Sequence, residues 1–179
     1  MIPFALGTAA ALAFSWRSLR HPRSHGFPRF FAFESILALL VLNVPHWLDG
    51  LGSARQDASW VLLGASLALA LHAFFVFLRH GRASAPEPGS PLHGFENTSV
   101  LVTGGVYRFL RHPMYASLLY LAWGVALKSV TPATAALGLA ATAALVLTAR
   151  FEEAENLARF GEAYRAYMAR TRRFIPFVV

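Results

Sequence analysis

The sequence predicts an all-α integral membrane bundle of five transmembrane helices with a C-terminal cytoplasmic amphipathic helix, in a single domain over residues 1–179. Three observations predict it. Of the 179 residues, 56% are hydrophobic and only 14% charged, and the mean hydropathy of +0.47 is far above that of an ordinary globular domain. Five apolar segments approach the roughly 20 residues a helix needs to cross a hydrocarbon core about 30 Å thick. Positive residues fall in alternate connections between these segments, as membrane orientation requires.

The first segment, residues 2–16, is preceded by no Lys or Arg and followed by Arg17, Arg20 and Arg23, which favours a retained span over a cleaved signal peptide. Residues 30–48 and 59–78 supply the second and third segments. The fourth and fifth, 113–127 and 132–149, are separated by Lys128, Ser129, Val130 and Thr131. That separation predicts a tight hairpin whose second helix is capped by Thr131 and opened by Pro132.

Arg17, Arg20, Arg23 and Arg29, then Arg79 and Arg82, then the cluster from Arg150 to Arg173 all fall on one side of a five-span bundle. The opposite connections carry Lys128, and Arg55 offset by Asp49 and Asp57. The N-terminus is therefore expected outside and the C-terminus in the cytoplasm. The same topology accounts for the net charge of +7 and the pI near 10.8 through basic loops beside membrane lipids, so no nucleic-acid partner is expected.

With no cysteine, disulfides, thiolate zinc sites and cysteine nucleophiles are excluded. His21 and His25 have helix-like spacing but sit in a Pro/Gly/Arg connection without a third ligand, so no metal site is expected. Residues 79–102 contain Gly81, Pro86, Pro88, Gly89, Pro91 and Gly94 ahead of Glu96, and are long for a connector between packed helices; such a loop is expected to cover a site. Residues 152–173 carry Leu157, Phe160, Tyr164 and Tyr167 at helical spacing, the pattern of an amphipathic helix that accommodates Gly161 within it. Glu34 and His72 are ionisable groups at membrane depth, read first as paired with neighbours, and His46 is read as structural.

Chemistry concentrates in Gly104-Gly105-Val106-Tyr107-Arg108-Phe109-Leu110-Arg111-His112-Pro113-Met114-Tyr115. The two glycines permit a turn, and Pro113 fits the first turn of a helix, where its missing N–H is harmless. Arg111 and His112 thus precede a helix N-terminus, whose free N–H groups and partial positive charge suit a carboxylate or other anion. Glu152 and Glu153 follow the last span at the same level.

These motifs, with Leu157, Phe160-Gly161, Tyr164, Tyr167 and the ending Arg173-Phe174-Ile175-Pro176, resemble the signature of the isoprenylcysteine carboxyl methyltransferase and phospholipid methyltransferase-like family over about residues 101–176. The ending is similar to that of bacterial members, which implies a bacterial inner membrane. Where many relatives carry Gly-Pro or Gly-Ile, this chain has Gly105-Val106; where they carry Asn-Pro at the span hairpin, it has Thr131-Pro132.

The resemblance implies a helical membrane bundle that holds S-adenosylmethionine at its cytoplasmic face. It implies a cofactor site of Val102, Gly105, Tyr107, Arg108, His112, Pro113, Tyr115, Glu152 and Glu153, with Arg111, Glu152 and Glu96 as catalytic candidates. Methyl transfer from a sulfonium is an in-line displacement, so alignment and exclusion of water are the main demands. A carboxylate acceptor needs no base, whereas an amine must first lose a proton, for which Glu96, Glu152, Glu153 or His112 are candidates. The expected acceptor is a lipid-like or amphipathic molecule reaching the site sideways from the bilayer. The alternatives are a membrane reductase using a nicotinamide cofactor, since sterol reductases resemble this family in their membrane core, and a non-enzymatic membrane scaffold.

Overall fold

In the computed structural model, residues 2–81 and 100–176 are described. They form six α-helices: α1 (Ile2–Leu19), α2 (Gly26–Asn43), α3 (Ala54–His80), α4 (Pro113–Ala126), α5 (Pro132–Phe160) and α6 (Glu162–Arg170), with short 3-10 turns at Val44–His46 and Gly105–Arg108. Among the described residues there is no strand, only an isolated parallel bridge between Leu110 and Arg172. Glu96 and the rest of 82–99 lie outside the described residues.

Three helical segments are long and apolar enough to cross a membrane: Gly26–His46, Ala54–His80 and Pro132–Phe160. The other two expected spans fall short of that measure. At about 1.5 Å per residue, the 14 residues of α4 rise roughly 21 Å, less than a hydrocarbon core of about 30 Å. The 18 residues of α1 include Arg17 in its last turn.

Helix starts follow their local chemistry. The Thr131 hydroxyl accepts from the Thr134 N–H at 3.2 Å while Thr134 Oγ1 accepts from the Thr131 N–H at 2.9 Å, a reciprocal cap with Pro132 at the first turn of α5. Ser53 caps α3 by accepting from the Gln56 N–H at 3.3 Å.

The expected amphipathic helix over 152–173 is corrected. Its first part is the continuation of α5, which runs through to Phe160, and Gly161 ends the helix at φ +54° with its N–H donating to the Leu157 carbonyl. That backbone conformation strains a residue bearing Cβ, so glycine breaks the run where the apolar spacing alone continues. Only nine residues form α6, which turns Tyr164 and Tyr167 inward.

The packing is that of small residues between long helices. Ile36 and Leu39 of α2 meet Ala122, Val125 and Ala126 of α4 and Ala141 of α5, and Ala32, Ala144 and Leu145 continue the seam. Hydroxyls bridge α3 to α4: Ser59 Oγ donates to the Gly124 carbonyl at 2.6 Å and Ser66 Oγ to that of Ser117 at 2.7 Å. Both devices are those of helices associating in lipid, where backbones approach across small residues and polar groups bond between helices. Val61, Leu67, Leu71, Phe75 and Leu78 of α3 remain exposed, as lipid contact requires.

The end of the bundle away from Glu152 is closed by Lys128, only 1% exposed. Its ammonium donates to Gln56 Oε1 at 2.9 Å and lies 3.6 Å from the centre of the Trp60 ring and 5.3 Å from that of Trp47. Arg55 bonds the Leu127 and Lys128 carbonyls. Burial and the nearby Arg55 charge lower the Lys128 pKa from its ordinary value. Arg55 and Lys128, expected as plain loop charges, instead tie the start of α3 to the hairpin between α4 and α5.

Candidate functional site

At the other end, the beginnings of α2 and α4 meet the endings of α3 and α5 around a cleft of about 220 Å³. His25 just before α2 and Arg29 within it line the cleft, with Phe74 and Phe77 from α3 and Glu152, Glu155, Asn156 and Arg159 from α5. Leu101, Val102 and Tyr107 lead into the wall formed by Arg111, His112, Pro113, Met114 and Tyr115, and Tyr164 and Tyr167 of α6 close one side.

Backbone pairing fixes the segment before α4. The N–H of Arg111 donates to the Arg172 carbonyl at 2.8 Å, that of His112 to Arg173 at 3.3 Å, and that of Arg172 to Phe109 at 3.0 Å. The C-terminal segment therefore lies against the His-Pro motif. Tyr167 strengthens the junction by donating its hydroxyl to the Tyr107 carbonyl at 2.7 Å. Burial raises the phenols of Tyr107, Tyr164 and Tyr167 above their ordinary range, which keeps all three protonated and able to donate.

Glu153 organises the charges behind the wall. It accepts from Arg111 Nε at 2.5 Å and from Arg173 Nε and Nη2 at distances down to 2.7 Å, with its side chain 5% exposed. These bonds raise the Arg173 pKa above its ordinary value, so the pair is held as ions. Arg111 also donates through Nη1 to the Thr171 carbonyl at 2.6 Å, while among the described residues Nη2 has no bonded partner.

His112 stands between the two glutamates. Its Nε2 is 3.4 Å from Glu153 Oε1, its Nδ1 is 3.8 Å from Glu152 Oε2, and its ring stacks on Tyr115 at 5.5 Å and 16°. The side chain is 2% exposed, yet Nε2 makes no hydrogen bond among the described residues. A buried polar atom in that condition is costly unless something completes it. His112 also supplies no side-chain cap to α4, whose first residue, Pro113, has no N–H to satisfy.

Of the expected site residues, Val102, Tyr107, Arg111, His112, Pro113, Tyr115 and Glu152 line one cleft, whereas Gly105, Arg108 and Glu153 do not. Gly105 has φ +57°, and the space its side chain would take is filled by Val76 at 2.7 Å and His72 Nε2 at 3.2 Å, so the close approach it permits is to α3. Arg108 is exposed beside the Phe109 ring at 4.7 Å. Away from the cleft, Glu34 accepts from the Thr8 hydroxyl at 2.8 Å and His46 pairs with Asp49 at 2.9 Å.

Sequence reasoning missed His25, Glu155, Asn156 and Arg159 as wall residues. Glu152, Glu155, Asn156 and Arg159 stand at i, i+3, i+4 and i+7, one helix face, so their company with Glu152 was readable from spacing alone. His25 carried no such signal, because its partner Glu155 is 130 residues away.

A family model described as phospholipid methyltransferase matches residues 60–163, more than half of the chain. The chain belongs to the phospholipid methyltransferase family. Methanethiol S-methyltransferase of Pseudomonas deceptionensis is 28% identical over 148 residues, which are 83% of this chain and 50% of that protein. The chain thus spans about half the length of the curated relative it matches. No solved structure matches it. The residues matched by the family model include the His-Pro motif and Glu152, but stop short of Tyr164 and begin after His25 and Arg29.

Proposed function

We propose that the protein is an integral membrane methyltransferase that uses S-adenosylmethionine and acts on a lipid-like or amphipathic acceptor at the cytoplasmic face of a bacterial inner membrane. The observation that carries this reading is the cleft at one end of the apolar bundle, where buried His112 at the start of α4 stands beside Glu152 and Arg111 lines the same wall.

The side chains fit the donor by type. Arg111 Nη2 and the partial positive charge at the start of α4 suit its carboxylate, Glu152 suits its ammonium or ribose hydroxyls, and Tyr115, Phe74 and Phe77 suit its adenine. The cleft is smaller than the 300–1,000 Å³ or so of typical small-molecule pockets, so the acceptor's apolar part extends beyond it, toward the exposed face of α3. When bound, the cofactor supplies a methyl group on a positively charged sulfur. The task of the chain is to hold donor and acceptor in line and to keep water away, which the packed aromatic and tyrosine walls serve.

Under this reading Glu153 is a positioning residue that aims Arg111, and the domain extends over 1–179 with its motifs in 101–176. The chain is oriented with the N-terminus outside and α1 and α4 completing five spans, α4 sheltered between α2, α3 and α5. The phospholipid description of the family supports a lipid acceptor, and the name of the Pseudomonas relative brings a small thiol into consideration.

Calorimetry on the detergent-purified protein tests the cofactor, with reduced nicotinamide dinucleotide as control. Saturable binding of S-adenosylmethionine alone supports the reading. Binding of the nicotinamide alone to folded protein replaces it with a reductase.

A further inference from the structure

One neutral carboxamide stands among the charges of the cleft. Asn156 of α5 is a partly buried wall residue on the same helix face as Glu152, one turn earlier. Tyr164, only 2% exposed, hydrogen-bonds the Asn156 side chain through its hydroxyl and so holds the amide in place. A carboxamide brings two N–H donors and an oxygen with two lone pairs, and one bond to a hydroxyl uses one of these four. Whichever atom Tyr164 engages, a donor and an acceptor side by side remain for whatever fills the cleft.

We infer that Asn156 reads the base of the methyl donor, its carboxamide accepting from the exocyclic amine of adenine and donating to the ring nitrogen beside that amine. The inference rests on the methyltransferase reading and deepens it, because it assigns donor specificity to a residue outside the His-Pro segment and the paired glutamates. A planar amide laid against that edge is the pairing by which Asn and Gln single out adenine through its N6 and N7.

The other polar groups of the wall do not match such an edge. Arg29, Arg111 and Arg159 carry donors only, and the carboxylates of Glu152 and Glu155 carry acceptors only, whereas the adenine edge presents one donor and one acceptor together. His25 is engaged by both oxygens of Glu155, through its backbone N–H at 3.1 Å and its Nδ1 at 2.5 Å. Position agrees with chemistry. Glu152, suited to ribose hydroxyls, stands about 6 Å from Asn156 along the same face, so one helix offers acceptors for the sugar and then a donor–acceptor pair for the base. Phe74, Phe77 and Phe160 line the same cleft and supply apolar contact for the faces of the ring.

Two altered bases separate the two bonds. Hypoxanthine replaces the amine with a carbonyl, so its edge presents two acceptors, and either orientation of the carboxamide then sets its oxygen against a lone pair. 7-Deazaadenine keeps the amine and loses the ring acceptor.

The test is calorimetric binding of three non-reacting product analogues to the full chain: S-adenosylhomocysteine, S-inosylhomocysteine and S-tubercidinylhomocysteine, the last carrying 7-deazaadenine. We expect wild type to bind the adenosyl compound at least about tenfold more tightly than the inosyl compound, with the tubercidinyl compound between them. Asn156→Leu is expected to bind the adenosyl and inosyl compounds within about threefold of each other, mainly through weaker adenosyl binding. Asn156→Asp keeps an acceptor for the amine but sets a second acceptor against the ring nitrogen, and is expected to prefer the tubercidinyl to the adenosyl compound. Thermal melts establish that each variant is folded. Equal wild-type affinity for the adenosyl and inosyl compounds overturns the inference. So does a folded variant that keeps the wild-type ratios, including one in which all three affinities fall alike, the mark of a residue that only packs. Failure of folded wild-type protein to bind S-adenosylhomocysteine at all overturns the methyltransferase reading together with it.

Discussion

Glu153 shows how one residue joins motifs that stand far apart in the chain. A buried carboxylate facing Arg111 and Arg173 is stabilising only while both partners remain, since removing one side leaves charge without compensation in a poorly solvated place. Glu153→Ala is therefore expected to cost about 3 kcal/mol of stability and to weaken S-adenosylmethionine binding through a misplaced Arg111. Thermal melts and calorimetry on the same preparation check both effects. His112→Ala removes the buried ring between the two glutamates instead, and is expected to lower donor affinity at least tenfold in protein that still folds. A fall in stability with unchanged affinity would assign His112 to packing. Tyr167→Phe deletes the bond to the Tyr107 carbonyl and is expected to cost about 1–2 kcal/mol in a denaturant or thermal melt. Part of this residue set was legible in the sequence, because Arg111, His112 and Pro113 stand at a helix start whose chemistry is read directly, whereas Glu152, late in α5, was pointed to by the family resemblance. His25 was not, because its partner comes from the far end of the chain and no local spacing records a contact across 130 positions.

At the scale of elements, the helix starts were the most readable features and the helix ends the least. Thr131-Pro132 and the Thr134 hydroxyl form their cap within one turn, so local sequence decides the start of α5. Its end is decided by Gly161, and a single glycine inside an apolar repeat is compatible with either continuation or a break until its φ is known. The fourth span was read to within one residue, 113–127 against Pro113–Ala126, and it is short for a crossing in both. Gly105 supplies a test at this scale. Alanine there meets both a left-handed φ and the Val76 side chain, and is expected to destabilise the protein by more than about 1 kcal/mol while shifting the 3-10 turn away from α3. If Gly105→Ala melts like wild type, the packing of that turn against α3 is not what holds the motif segment.

For the whole molecule, one apolar bundle has a polar lock at one end and a chemical cleft at the other. Lys128, Gln56, Trp47 and Trp60 hold the far end shut with charge spent entirely on neighbouring groups. At the near end, charges are arranged around a concavity with His112 incompletely satisfied. That asymmetry is what separates a site from a staple, and hydropathy alone cannot distinguish the two ends, because both are basic residues next to spans. The fold class was legible from composition, since a chain this apolar has few ways other than helices to satisfy its backbone in lipid. Most direct is transfer of a labelled methyl group from S-adenosylmethionine by the purified protein in nanodiscs of bacterial lipid, followed by separation of organic and aqueous phases. The account predicts label in an organic-soluble product, greatly reduced with Glu152→Gln. Folded wild-type protein that leaves all label in unreacted donor would contradict it.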